Sequence, residues 1–216
     1  MIIHKVNIIY RKEDIQMHRG KTLLLVLAVF FVMMPGIVFA ATSGDPIKQY
    51  GLPMLITNAG QGPGGKMARL LVSQTKTIVL NKDFWYKSEP IEKDLKERPY
   101  KALMVIIGSS DKGLGASGIT IDQEIARLQK MVKTAKDNKM PIIAVLLEKD
   151  KRSTIATNPN ERCIDTICPS ADWMIVIKGG NTDQRFDKLK AKYKIPLTII
   201  DNAIDFTELC KKIFVK

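Results

Sequence analysis

The chain has 216 residues and a formal net charge of +12. A basic chain of this length can form one well-packed domain, and its charge favours anionic partners such as small anions, anionic lipid or polyanionic wall material. The alternative interpretation of the charge is that most lysines lie on solvated helix faces, whose spacing they follow. We expect no nucleic-acid partner, because no basic module interleaved with aromatic residues is present.

The first part of the chain has the features of a secretion signal. Two basic residues precede the apolar run Leu23 to Met34, and Val38 and Ala40 supply the small residues that a signal peptidase requires. We expect residues 1–40 to be a signal peptide with its true start at Met17, and the protein to be periplasmic or extracellular after cleavage near Ala40. The alternative is an uncleaved membrane anchor, because the apolar segment is long enough to span a bilayer.

The predicted leader changes which chemistries are available to the domain that follows it. Both histidines of the chain, His4 and His18, lie in this leader. Residues 41–216 are expected to form a single domain without histidine, which excludes Ser-His-Asp catalysis and the usual imidazole-based zinc sites. We therefore expect no metal site and no cofactor.

The residues after the leader alternate short β-rich runs with helical patterns. Strands are predicted at Leu52–Thr57, Thr75–Leu80, Ala102–Ile107, Pro141–Leu147, Asp172–Ile177 and Pro196–Ile200. Helices are predicted at Gly65–Gln74, Ile121–Asn138, Asp183–Tyr193 and Asp205–Phe214, and a polar loop with a short helix at 81–99. Strands separated by helices form βαβ units with right-handed crossovers. The predicted fold is a single doubly wound α/β domain of the flavodoxin or Rossmann type, with a mostly parallel five- or six-stranded sheet and helices on both faces.

Two glycine-rich loops, Asn58 to Lys66 and Gly108 to Gly118, follow the first and third predicted strands. In a 2-1-3-4-5 strand order these strands are neighbours at the point where the order reverses, so the loops should face one another at the place where such folds bind ligands. The second loop combines serine hydroxyls, a lysine and glycine N–H groups that can converge on an anion. Thr120 and Gln123 predict a capping box at the start of the next helix.

These features predict a non-enzymatic module that binds a small anionic molecule, either alone or together with a membrane transporter. The candidate ligand-binding residues are Asn58, Gln61, Lys66, Ser109, Ser110, Lys112, Gly113, Gly115 and Ser117. The alternative for the second loop is a long ordered connection in which the glycines have a purely structural role.

The first loop also fits two nucleotide-binding patterns. Gly60-x-Gly62-x-x-Gly65 fits the dinucleotide fingerprint, and Asp83 stands near the expected ribose-binding acid. The same stretch fits a phosphate loop, except that Met67 replaces the residue that would bind magnesium. An exported protein meets little nucleotide, so we favour the simpler interpretation, in which these glycines let a strand turn tightly into its helix.

Two other classes of function remain open. One is a histidine-free enzyme, in which Ser109 or Ser110 is the nucleophile and Lys112 or Lys66 is the base, since Ser-Lys pairs can perform acyl transfer. The other is a protein-interaction module of an envelope complex, for which a large exposed apolar patch would be the sign.

Several further residues have both a structural and a functional interpretation. The aromatic pair Trp85-Tyr86 either packs a connection onto the domain or forms a lid over a ligand. Asn181, Asp183 and Arg185 either form a turn and a helix cap or border the ligand crevice.

The three cysteines leave a similar choice open. Cys163 and Cys168 could form a disulfide in an oxidising compartment, although on one continuous helix they would point about 140° apart. The alternative is that both, together with Cys210, are buried thiols.

The segments Leu52–Gln61 and Gly108–Ile119 resemble a family of uncharacterised exported bacterial proteins, the domain of unknown function 6305. In that family the second segment is followed by a glutamate and an arginine, which Glu124 and Arg127 match here. Gly180–Phe186 is similar to a later pattern of the family. The resemblance implies an exported α/β protein and supplies no activity.

One stretch departs from that family pattern. Glu148–Pro159 is charged and lacks the expected glycine-rich sequence, so a contribution of Lys151 or Arg152 to a site is open.

Overall fold

The computed structural model describes residues 42–215, all of which fall in one compact unit of the chain. The predicted signal peptide lies outside these residues. Between residues 42 and 215, no helix is long and apolar enough to cross a membrane.

A mostly parallel sheet of seven strands forms the centre of the described structure. Its strands are β1 (Thr42–Gly44), β3 (Met54–Ala59), β4 (Phe84–Tyr86), β5 (Ala102–Ile107), β6 (Ile142–Leu146), β7 (Trp173–Ile177) and β8 (Leu197–Ile200). Two short strands, β2 (Tyr50–Gly51) and β9 (Phe214–Val215), pair with each other in a separate small sheet.

Helices follow most of the central strands. They are α1 (Gly64–Ser73), α2 (Asp111–Ala116), α3 (Ile121–Asp137), α4 (Pro159–Ile167), α5 (Arg185–Tyr193) and α6 (Asp205–Ile213). Single 3-10 turns lie at Asp94–Lys96, Lys149–Lys151, Cys168–Ser170 and Lys178–Gly180.

The strand order is β1-β8-β7-β6-β5-β3-β4, and only β1 runs antiparallel to its neighbour. The chain leaves β3 for the edge strand β4 and then returns to β5 on the other side of β3, so the order reverses between β3 and β5. This topology confirms the predicted doubly wound α/β fold. The sheet exceeds the predicted five or six strands because β1, with only three residues, adds an antiparallel edge.

The sheet is covered on both faces by separate hydrophobic clusters. Along β3, Leu55 belongs to one cluster, whereas its neighbours Met54 and Ile56 belong to the other, as the alternation of side chains along a strand requires. The first face packs against α3, α4 and α5, and the second against α1 and α6. Burial on both faces explains why β5 is an uninterrupted apolar run.

The predicted second strand, Thr75–Leu80, is wrong. The Thr75 hydroxyl donates to the carbonyl of Val72 and accepts from the N–H of Ile78, which makes a turn at the end of α1. The strand that pairs with β3 on its outer side is β4, whose Phe84 is fully buried. Aromatic residues favour strands, and β4 consists of three of them, Phe84, Trp85 and Tyr86. These residues lie within 81–99, which the sequence analysis predicts to be a polar loop.

Helix α4 was not predicted. Its start has a recognisable signal, because Asn158 caps the helix by accepting from the N–H of Asn160 and Pro159 occupies the first position. No element is predicted from the sequence between the predicted strands Pro141–Leu147 and Asp172–Ile177. The helix buries Cys163, and the following turn buries Cys168.

The cysteines are free thiols, and all three are buried. Burial raises the pKa of the Cys163 and Cys168 thiols to about 12 and raises that of Cys210 as well. We expect the native protein to resist a thiol reagent at neutral pH, because thiolate formation and access are both suppressed. The reaction should be followed by mass spectrometry, with the denatured protein, in which all three thiols react, as the control. A native thiol that reacts as fast as in the denatured protein would contradict this burial.

Candidate functional site

The loops that follow β3 and β5 lie side by side at the carboxyl edge of the sheet. The N–H of Gly62 donates to the carbonyl of Gly108 at 2.8 Å, and the N–H of Ser110 donates to the carbonyl of Gly60 at 2.9 Å. Gln61 and Ser109 form an antiparallel bridge between these bonds. The two glycine-rich loops are therefore joined into one unit at the switch point of the fold.

Close backbone contact explains two of the glycines. A Cβ atom on Gly62 would lie 2.2 Å from the carbonyl oxygen of Gly108, and one on Gly113 would lie 1.9 Å from that of Gln61. No side chain fits at these distances, so both residues have a structural role in bringing the loops together.

A buried ion pair between Glu124 and Arg127 of α3 binds the first loop. Glu124, fully buried on α3, accepts from the N–H of Gly60 at 2.9 Å and from the Gln61 amide at 3.2 Å. The Arg127 guanidinium donates to the same carboxylate at 2.7 and 2.9 Å and to the carbonyl of Asn58 at 2.9 Å. One carboxylate and one guanidinium thus fix the backbone of Asn58 and of Gly60 and the side chain of Gln61.

Charge decides the protonation state of this carboxyl group. Burial by itself would raise the pKa of Glu124, but the hydrogen bonds and charge of Arg127, the Gly60 N–H and the Gln61 amide outweigh burial and lower it below its ordinary value of 4.5. Glu124 is therefore an anion at neutral pH and serves the loop rather than a ligand.

A cavity of about 390 Å³ opens where α1 and α2 begin, and we call it the Lys66–Lys112 cavity. Seven of the nine predicted ligand-binding residues line it: Asn58, Gln61, Lys66, Ser110, Lys112, Gly113 and Ser117. The fold thus gathers residues from two separated loops around one space.

The other two predicted residues lie elsewhere. Ser109 is buried and lines a different cavity, together with Asn160, on the other side of the loop. Gly115 is exposed, and a Cβ atom built on it would meet nothing within 4 Å. A loop can therefore be placed from sequence more readily than its individual side chains.

The Lys66–Lys112 cavity has a positive side. Lys66 is exposed in the first turn of α1, a turn that has no acidic residue and no side-chain cap, and Lys112 is exposed in the first turn of α2. The one carboxylate in the lining is that of Glu89, which accepts from the Ser117 hydroxyl at 2.7 Å. The lining therefore combines two ammonium groups and the positive end of α1 with a single carboxylate.

Sequence reasoning missed the wall that β4 contributes. Tyr86 lines the cavity, and its hydroxyl accepts from the Asn58 amide at 3.1 Å. Burial raises the pKa of this phenol, so Tyr86 stays neutral. Trp85 packs instead, edge-to-face on Tyr100 with ring centroids 5.9 Å apart. The sequence left open whether this pair packs onto the domain or faces a ligand, and the structure divides the two roles between Trp85, which packs, and Tyr86, which lines the cavity.

The geometry gives no support to a Ser-Lys catalytic pair. The Ser110 hydroxyl accepts from the N–H of Gly113 at 3.2 Å as the cap of α2, and the Ser109 hydroxyl has no hydrogen-bond partner. Neither hydroxyl lies within hydrogen-bond reach of a lysine ammonium in the described part of the chain.

Residues 51–214 match the family model described as Domain of unknown function (DUF6305). The chain belongs to this family. The match confirms the resemblance drawn from the two loop segments. No curated protein matches the chain.

The DUF6305 chain places Asp83 away from the cavity. Because β4 runs parallel to β3 from Phe84, Asp83 lies at the amino edge of the sheet, where its carboxylate accepts from the N–H of Val79 at 2.9 Å. An acid that binds a ribose must lie at the carboxyl edge. Among residues 42–215, no cluster of three or more histidine, cysteine or acidic residues is arranged to hold a metal ion.

The residues after β7 act as caps. Asn181 accepts from the N–H of Phe186 at 2.9 Å, and Asp183 accepts from the N–H of Arg185 at 3.2 Å. Arg152, whose role was open, is bound by the buried Glu161 at 2.8 Å and by Asp183 at 2.8 Å. These residues tie the loops after β6 and β7 to α4.

Replacement of Glu124 should strongly destabilise the protein. Glu124→Gln leaves Arg127, only 15% exposed, without its counter-charge, and we expect the free energy of unfolding to fall by about 3–5 kcal/mol. Chemical denaturation should be compared with that of Asp137→Asn, which removes the exposed Lys133–Asp137 pair of the same helix and should cost at most about 0.5 kcal/mol.

The pH dependence of stability gives a second test, in which wild type is compared with Glu124→Gln. Because the folded pKa of Glu124 is lowered, its stabilisation is present above the ordinary carboxyl value of 4.5 and is lost as pH falls through the folded pKa. The difference between wild type and Glu124→Gln should therefore shrink on acidification. A difference that is constant with pH would show that the carboxylate charge is not what holds the loop.

Proposed function

We propose that this DUF6305 protein is an exported, non-enzymatic binding protein that holds a small anionic ligand in the Lys66–Lys112 cavity. The single observation that carries the proposal is the meeting of two lysines from different loops at the switch point of a doubly wound sheet. Ligands of such folds bind at this point, outside the carboxyl ends of the strands.

The size and chemistry of the cavity support a small molecule. Its volume of about 390 Å³ falls within the usual range for small-ligand sites. Lys66 and Lys112 offer ammonium donors, Tyr86 a neutral phenol and Ser110 a hydroxyl, so a carboxylate, phosphate or sulfate could be bound by charge and by hydrogen bonds together. The start of α1, which carries no acid in its first turn, adds positive potential.

Glu89 gives the proposed site selectivity. Its carboxylate reaches the cavity and accepts from Ser117. An anion that approaches this wall is repelled unless it presents a hydroxyl or an uncharged donor there. We therefore propose an organic anion with a polar, uncharged part rather than a bare inorganic ion as the preferred ligand.

In this proposal the protein is periplasmic or extracellular, because its first 40 residues are predicted to be a signal peptide. A basic binding protein outside the cell membrane would collect an anion and pass it to a membrane transporter. The predicted leader can be tested by intact-mass measurement on protein recovered from the native host. We expect a mature chain that begins near Ala41, and a mass that retains the apolar run Leu23 to Met34 would indicate an anchor.

Anion binding should depend on both lysines. Calorimetric titration of the purified protein with citrate, phosphate and sulfate should show saturable binding, tightest for the organic acid. Lys66→Ala and Lys112→Ala should each weaken it by about tenfold or more, because each removes a charge-assisted contact. Added salt should weaken binding further, because both ammonium groups are exposed.

Lys212→Ala is the matched control. Lys212 is an exposed lysine in the last turn of α6, which runs away from the carboxyl edge of the sheet, and its loss changes the net charge by the same amount. Binding that falls equally in all three variants would reflect net charge and not the cavity. The proposal fails if none of the three anions binds, or if both cavity variants bind like wild type.

A further inference from the structure

A second recess, of about 320 Å³, lies on the other side of the Ser109–Ser110 segment. We call it the Ser109–Asn160 recess. It is formed where the end of β5 meets the loop after β6 and the start of α4, and Pro159 is the only apolar residue among the ten that line it. It therefore belongs to the same edge of the sheet as the Lys66–Lys112 cavity but to different elements.

Two of its residues have buried polar atoms without hydrogen-bond partners. Asn160 is 2% exposed; its carbonyl oxygen accepts from the N–H of Ser109 at 3.1 Å, while its Nδ2 group has no partner. Ser109 is 8% exposed, and its Oγ likewise has no partner. Both atoms are closed off from solvent in this structure, and leaving such groups unsatisfied costs about 1–3 kcal/mol each, so a bound group that reaches them as the side chains rotate would complete their hydrogen bonds.

The hydrogen-bonding capacity of Asn160 Nδ2 and Ser109 Oγ indicates which ligand groups could bind them. The Asn160 Nδ2 can only donate, whereas the Ser109 hydroxyl can accept as well as donate. A ligand hydroxyl does both, so one such group could accept from Asn160 and donate to Ser109. A carboxylate or phosphate oxygen can only accept, and it would leave the acceptor capacity of Ser109 unused.

The recess has no excess of positive charge, unlike the Lys66–Lys112 cavity. Lys151 is offset by Asp111 and Asp150, which line the same space. The Arg152 guanidinium is already bound by Glu161 and Asp183. An anion would therefore gain little electrostatic attraction in this recess. A ligand loses nothing there by being uncharged.

We infer that the Ser109–Asn160 recess is a second binding site, which takes an uncharged polyhydroxylated small molecule such as a monosaccharide or a cyclic polyol. The inference does not depend on the proposed anion site, because its donors and acceptors lie on the opposite side of the loop. Ser110 is the one residue that lines both spaces.

The test uses glucose and myo-inositol as probes of the purified protein. Titrations followed by two-dimensional NMR should show saturable changes at the amides of Ser109, Lys151, Ser153 and Asn160. Ser109→Ala should weaken binding by about tenfold, because it removes one hydrogen bond to the ligand. This variant should fold like wild type, because it removes only an oxygen that has no partner in the protein.

Two controls separate this site from the anion site. Ser73→Ala makes the same chemical change at an exposed position on α1 and should bind both probes like wild type. Lys112→Ala should weaken anion binding and leave the binding of the polyhydroxylated probe unchanged. The inference is overturned if neither probe gives a saturable change, if the changes lie at Lys66 and Lys112 instead, or if Ser109→Ala binds as tightly as wild type.

Discussion

The buried Glu124 carboxylate is the contact on which the candidate sites depend. It joins α3 to the loop after β3 through the Gly60 N–H and the Gln61 amide, and Arg127 extends the same pair to the Asn58 carbonyl. Charge-assisted bonds of this kind are strong in a buried environment, and removal of one partner leaves the other charge uncompensated. With the first loop held in this way, its backbone bonds to Gly108 and Ser110 fix the second loop as well. The geometry of both cavities therefore depends on an ion pair that lines neither of them.

The joined loops divide the carboxyl edge of the sheet into two chemically different spaces. On one side lie the exposed Lys66 and Lys112 at the helix starts, and on the other lie the buried, incompletely bonded Ser109 and Asn160. The first space offers net positive charge, and the second offers neutral hydrogen bonding. Such a division is a consequence of the doubly wound fold, in which the loops of neighbouring strands meet at one edge. It allows one short segment, Ser109–Ser110, to line two cavities.

Much of the fold was predictable because its signals are local. The apolar run of β5, the helical spacing of α3 and its Thr120–Gln123 capping box were all read from neighbouring residues, and the structure has each of them. The wrong second strand shows the limit of that approach. Thr75–Leu80 has strand-like composition, but its threonine hydroxyl makes a turn, and pairing with β3 goes to the aromatic residues of β4. The segment that pairs with β3 is the one whose side chain, Phe84, becomes fully buried in the folded domain. No local sequence pattern records that burial.

For the candidate site, the sequence by itself determined the fold class, the two loops and the edge of the sheet at which they meet. It did so because periodicity specifies the elements and the rules of βαβ connection specify their arrangement. Only the tertiary structure decided that Glu124 is buried beneath the loops, that Tyr86 forms a wall of the cavity, and that Ser109 faces Asn160 rather than Lys112. The physical reason is that these choices rest on contacts between residues far apart in the chain, such as the hydrogen bond from Gly60 to Glu124, 64 residues away. Side-chain direction in a loop is set by such long-range contacts and not by the composition of the loop.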